Sequence, residues 1–87
     1  MSHDEILIAP PAIRDYKKLT DLELEKINSA IDAFADNPRP PGYKKLKNRD
    51  AYRIRVGNYR IIYEINDKQV TVLVIRIRHG REVYRDL

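Results

Sequence analysis

From residue 52 onward the apolar residues of this 87-residue chain recur at every second position, a period that an α-helix cannot bury on one side. Tyr52, Ile54 and Val56 alternate with Arg53 and Arg55. Gly57-Asn58 reads as a tight turn, after which Tyr59, Ile61, Tyr63 and Ile65 alternate with Arg60, Ile62 and Glu64. Asn66-Asp67-Lys68 makes the next turn. Residues 70–77 form a third β-branched run, in which Leu73, Ile75 and Ile77 oppose Val72, Val74 and Arg76. Strands that follow one another through turns this short form an antiparallel meander.

Upstream the pattern is different. Residues 5–9 form a short apolar run that Pro10-Pro11 stops, which predicts a first strand. A short helix is expected over about 12–18, with Ile13 and Tyr16 against the core. Thr20-Asp21-Leu22-Glu23 fits a capping box, in which threonine hydroxyl and glutamate carboxylate satisfy orphan amide donors. Behind it Leu24, Ile27, Ile31 and Phe34 recur at helical spacing, so one stripe is apolar down to about Asp36. Asn37-Pro38 ends the helix and Pro40-Pro41-Gly42 stiffens the exit. The expected fold is α+β: an N-terminal strand, a two-helix hairpin, then an antiparallel sheet meander whose helices cover one face. That covered face carries Tyr52, Ile54, Tyr59, Ile61 and Tyr63.

A chain of this length makes one domain, spanning residues 1–87. No apolar run approaches the roughly 20 residues that span a bilayer, and no basic-then-apolar leader opens the chain, so a cytoplasmic protein without a membrane partner is expected. The absence of cysteine excludes disulfides, thiol catalysis and cysteine-ligated metals. Histidines at 3 and 79 offer no metal-ligand spacing, so neither a metal nor another cofactor is implied.

The net charge of +4 is unevenly distributed. Residues 1–36 hold four basic and eight acidic side chains, a net −4, whereas residues 37–87 hold thirteen basic and five acidic ones, a net +8. Such asymmetry points to a polyanionic partner. Alternation puts Arg53, Arg55 and Arg60 on the face away from the helices, and Arg76, in phase with Val72 and Val74, is expected to join them. Solvation explains one or two arginines on an outer face. Three on neighbouring strands, with Lys44, Lys45, Lys47 and Arg49 just upstream, better suit phosphate, which guanidinium binds in a bidentate way. Residues 78–85 add Arg78, His79, Arg81 and Tyr84. Nearby cations favour a phenolate at Tyr84, and His79 can move a proton near neutral pH, although an edge aromatic and a turn histidine are the plainer readings.

The residues that carry these features are those of a known group. The chain resembles the RelE branch of the RelE/ParE toxin superfamily, ribosome-dependent mRNA endonucleases paired with an antitoxin. The resemblance spans nearly the whole chain and is densest over residues 45–65 and 74–87. The family's basic–apolar–basic motif matches Arg53-Ile54-Arg55, its Tyr-Arg motif matches Tyr59-Arg60-Ile61-Ile62-Tyr63, and its closing motif matches Glu82-Val83-Tyr84.

That resemblance implies the RelE-like microbial RNase fold. It also implies an activity: cleavage of messenger RNA in the ribosomal A site, by attack of a ribose 2′-hydroxyl on the adjacent phosphate without a metal. The implied partners are the ribosome and a RelB-like antitoxin, through which the complex binds its own operator. The basic pair that the family often carries as lysines is Arg53 and Arg55 here; arginine keeps its proton up to a pKa above about 12, so the pair binds phosphate and cannot be the base. Tyr84 is the expected base and Arg60 the donor to the phosphate in flight. A basic residue commonly succeeds the position of His79 in the family, whereas this chain has Gly80, which leaves the acid open among Arg78, Arg81 and His79. Lys44, Lys45, Lys47 and Arg49, with Arg76 and Arg78, are expected to meet RNA, and the three lysines to lie off the scissile phosphate. A ParE-like toxin that binds DNA gyrase without cutting RNA is the alternative, and His79-Gly80-Arg81 also suits that branch. A non-catalytic RNA-binding domain is a third reading, and it would need aromatics stacked on the basic face.

Overall fold

Two proline residues decide where the first helix begins. In the computed structural model, which describes residues 4–47 and 49–80, strand β1 (Glu5–Ile8) runs directly into helix α1 (Pro10–Tyr16). Pro10 and Pro11 occupy the first helical positions, where an N–H has no partner and the fixed φ favours the helix. The helix therefore starts two residues before the expected 12–18. Helix α2 (Asp21–Ala33) starts at the predicted capping box: Thr20 N–H donates to Glu23 Oε1 at 2.9 Å, and Glu23 N–H donates to Thr20 Oγ1 at 3.2 Å. It is shorter than the apolar stripe, because Phe34, Ala35 and Asp36 continue as turns with their N–H groups on Ile31, Asp32 and Ala33.

The alternating half folds as β3 (Tyr52–Val56), β4 (Tyr59–Asn66) and β5 (Thr71–His79), paired antiparallel as their short turns require. A two-residue strand, β2 (Lys44–Lys45), adds to the free edge of β3. At the other edge β1 lies parallel to β5, from Glu5 beside Thr71 to Ile8 beside Val74, giving the order β1-β5-β4-β3-β2. Both helices lie on one face. Ala12, Ile27, Ile31 and Phe34 meet Ile61, Tyr63, Val72, Val74 and Ile77 in a single buried cluster. Phe34 stacks on Tyr63 with ring centroids 4.2 Å apart, and the Tyr63 hydroxyl donates to Pro38 O at 2.8 Å.

The phase of β5 corrects the sequence reading. Val72 and Val74 were expected beside the arginines, yet both are fully buried against the helices. The reason is a bulge: Ile62 pairs with Arg76 but Tyr63 pairs with Val74, so Ile75 is an extra residue on β5. One inserted residue reverses the phase, which brings Val72, Val74 and Ile77 to the same side.

The edge of β5 engages Arg76. β1 ends beside Val74, with Ala9 N–H on Val74 O at 2.8 Å, and the outer edge of β5 then meets α1. Asp15 of α1 accepts there from Ile77 N–H at 2.8 Å and from Arg76 Nε at 2.9 Å and Nη2 at 3.3 Å. Arg76 thus keeps its backbone register with Ile62 and Arg53, while its guanidinium is drawn to the strand edge by an ion pair with the buried carboxylate of Asp15.

Candidate active site

The strand register assembles the basic side chains in two rows. Lys44, Arg53, Ile62 and Arg76 are successive cross-strand partners, and so are Arg55, Arg60 and Arg78. Partners in adjacent antiparallel strands stand about 4.5–5.5 Å apart, so the cations of a row are forced together by the backbone. Tyr52, Ile54 and Val56 pack on the core, which leaves Arg53 and Arg55 on the opposite side of β3. There a concavity of about 400 Å³ is lined by Gly42, Lys44, Arg53, Arg55 and Arg60. Its described lining holds four cations and no acid.

Each lining group has a backbone reason for its place. Gly42 and Gly57 take positive φ values of 93° and 60°, which bend the chain into β2 and round the β3–β4 turn. The Arg55 Nε–H donates to Gly57 O at 3.1 Å, which ties that guanidinium to the β3–β4 turn. Ile62 lies between Arg53 and Arg76 in its row and is buried despite facing away from the main cluster. An array of like charges on neighbouring strands is unfavourable unless an anion or solvent compensates it. Guanidinium forks converging on one hollow suit the equatorial oxygens of a phosphate.

The expected residues are not all brought together. Arg53, Arg55 and Arg60 converge as the alternation predicts. Lys44, expected off the phosphate, lines the same concavity because β2 sets it beside Arg53. Lys45 pairs with Tyr52 and forms an exposed contact of 3.8 Å to Asp50, while Lys47 and Arg49 are exposed in the loop before β3. None of these three lines the concavity. Arg78 stands beside Arg60 in register.

His79 goes elsewhere. It pairs with Tyr59, which packs on the core, and the two rings meet edge to face at 5.5 Å. Glu23 lies near both: the Thr20 N–H, with help from the Tyr59 hydroxyl and the His79 charge, holds its carboxyl below the ordinary carboxylate range. His79 is therefore placed with Tyr59 and Glu23 rather than with the guanidiniums. Arg81 and Tyr84 lie outside the described residues. Asp15 escaped the sequence reading altogether, since nothing local marks an acid whose partners are 61 and 62 residues away.

Among the described residues, no aromatic side chain lines the basic concavity. Tyr52 and Tyr63 lie 6.0 Å apart on the helical side, and Tyr43 leans on Tyr52 at 5.8 Å. The Arg39 guanidinium sits over the Tyr52 ring at 5.7 Å and pairs with Asp67 at 3.0 Å, fastening the linker after α2 to the β4–β5 turn.

The architecture is that of a small α+β domain, with helices on one face of its sheet and a cationic hollow on the other. The chain matches, over residues 6–84, the family model described as the ParE toxin of type II toxin–antitoxin systems. It is 37% identical over 75 residues to Toxin RelE3 of Methanocaldococcus jannaschii, covering 86% of this chain and 77% of that relative. Against the mRNA interferase toxin RelE of Escherichia coli it is 28% identical over 79 residues, covering 86% and 83%. The crystal structure of the RelBE2 toxin–antitoxin complex from Mycobacterium tuberculosis matches with a TM-score of 0.79 at 26% identity, covering 88% of this chain and 98% of that one. The chain belongs to the RelE/ParE superfamily of type II toxin–antitoxin toxins.

Proposed function

We propose that this toxin is a ribosome-dependent endoribonuclease that cleaves messenger RNA in the ribosomal A site and is neutralised by a RelB-like antitoxin. The observation that carries the proposal is the hollow in which Lys44, Arg53, Arg55 and Arg60 converge. The interferase name of a relative and the RelBE complex among the similar structures support it. In the reaction the ribose 2′-oxygen attacks phosphorus as its proton leaves to a base. The bond from phosphorus to the 5′-oxygen breaks as that oxygen gains a proton. The products are a 2′,3′-cyclic phosphate and a 5′-hydroxyl.

Charge develops on the equatorial phosphorane oxygens, and preorganised donors aimed at them lower the barrier. Arg53, Arg55 and Arg60 serve that purpose, with Lys44 as a fourth cation. None of the three arginines can take the proton. Tyr84, in the segment after β5, is the proposed base. For the acid we favour Arg78, Arg81 or a group of the ribosome over His79, whose ring lies against Tyr59 on the helical side.

The test is purified toxin added to ribosomes programmed with a defined message, with the products mapped at their ends. Cleavage within the A-site codon, leaving a cyclic phosphate, is expected, with naked RNA cut poorly. A ParE-like toxin, which the description of the matching family model favours, would leave the message intact and block DNA gyrase supercoiling instead. That outcome would overturn the ribonuclease reading.

A further inference from the structure

Glycine occupies three positions in this chain, for two different reasons. Gly42 and Gly57 have φ values of 93° and 60°, and nothing lies within 4 Å of where a Cβ would stand, so the backbone alone requires glycine there. At Gly80 the situation is reversed. Its φ lies outside the left-handed region, so any residue can adopt the backbone, but the space of the missing side chain is taken. A Cβ at position 80 would stand 3.2 Å from Arg60 Nη1, 3.5 Å from Arg60 Cζ and 3.4 Å from Asn58 O. The Gly80 N–H donates to Asn58 O at 2.8 Å, which pins residue 80 to the β3–β4 turn. The Arg60 guanidinium thus rests against the bare Cα of a residue that is held in place.

We propose that Gly80 is a positioning residue: having no side chain, it sets where the Arg60 guanidinium stands in the basic concavity, and hence where the reacting phosphate is held. This deepens the ribonuclease reading and rests on it. A guanidinium directs its donors along fixed lines in one plane, so displacing the group misaims all of them together. Misplacement of a binding group by about 1 Å can cost about 10²-fold in rate. An alanine at position 80 demands a few tenths of an ångström, and Arg60, at the far end of a flexible side chain, is what can give way. The fold should hardly notice.

The test compares wild type with Gly80→Ala and Gly80→Val, each also in an Arg60→Lys background. Three quantities are read: the plateau rate and half-saturating toxin concentration of single-turnover cleavage on programmed ribosomes, the thermal midpoint, and the Arg60 Nε–Hε resonance, assigned by its loss in Arg60→Lys. Gly80→Ala is expected to shift that resonance and lower the plateau rate about tenfold, with half-saturation within about twofold and the midpoint within about 2 °C. Gly80→Val should lose more. With lysine at 60, the Gly80→Ala effect should shrink to less than about twofold, the non-additivity of two groups acting through one contact. An equal loss in both backgrounds, an unchanged resonance, or a midpoint that falls in step with the rate would overturn the proposal. If wild type cuts no message, the ribonuclease reading fails by itself, and the seat is still tested by titrating inorganic phosphate. The Arg60 resonance should then respond in wild type and at least threefold more weakly in Gly80→Ala; identical titrations would overturn it.

Discussion

Two adjacent side chains on β5 illustrate how differently neighbouring residues are used. Arg78 stands beside Arg60, whereas His79 turns to Tyr59 and Glu23 on the helical side. A proton-transfer role for His79 would need its ring among the guanidiniums, and the alternation of β5 directs it to the other face. We therefore expect His79→Ala to cleave within a few-fold of wild type, while Tyr84→Phe loses about 10²–10⁴-fold, the usual worth of a positioned base. Both are read in single-turnover assays on programmed ribosomes across pH 6–9; a Tyr84→Phe rate near wild type would remove the tyrosine from the mechanism. The hollow itself was legible from residues: period 2 alone puts Arg53, Arg55 and Arg60 on one side. Lys44 was not, because a two-residue edge strand has no periodicity to read. Its place depends on pairing with β3, a contact between segments.

At the scale of elements, the contact of α1 with β5 joins the packing of Ala12 to one polar latch, the carboxylate of Asp15. Asp15 takes the Ile77 N–H and two nitrogens of Arg76 while almost wholly buried, so all its partners are satisfied at once. Asp15→Ala leaves a strand N–H and a guanidinium without this acceptor, and should cost about 1–3 kcal/mol of unfolding free energy in urea, discounted because Arg76 is a third exposed. A loss below about 0.5 kcal/mol would show that water replaces the latch. The helix-facing core also gives a pH test. Burial pushes the Tyr63 hydroxyl from the ordinary 10 up to about 12. Unfolding restores the lower value, so the unfolded chain loses its proton first and binds fewer protons within that window. The stability is therefore complete below pH 10 and lost as pH rises toward 12, and burial raises Tyr16 in the same direction. In Tyr63→Phe the fall of the thermal midpoint between pH 10 and 11.5 should be shallower than in wild type. The helix limits teach a related point: the Thr20 capping box and the prolines are local chemistry and were readable, but the stripe of α2 outlasts its helix because turns can also bury Phe34.

For the molecule as a whole, charge and layering coincide. The acidic N-terminal part supplies both helices, and the basic C-terminal part supplies the strands whose outer side carries the hollow. No helix among the described residues is long and apolar enough to cross a membrane. Two kinds of cation should behave differently on the ribosome. Lys47→Ala and Arg49→Ala, outside the hollow, should weaken binding most at raised salt and reduce the salt slope by about one counterion each, leaving the saturated rate unchanged. Lys44→Ala should instead lower the saturated rate about tenfold, as expected for a cation beside the phosphorane. Equal behaviour of Lys44 and Lys47 would return Lys44 to the periphery. Local order was written in the sequence alone: the helical and alternating periods, the capping box, the glycine turns and the side of the sheet that each arginine of β3 and β4 takes. These depend on neighbours within a few residues, where geometry is nearly independent of the rest of the chain. The parallel seat of β1 beside β5, the bulge at Ile75, the capture of Arg76 by Asp15 and the entry of Lys44 were decided only by the tertiary structure. Each joins segments far apart in sequence, and a single unpaired residue reverses the phase of everything beyond it, so no local pattern can specify them.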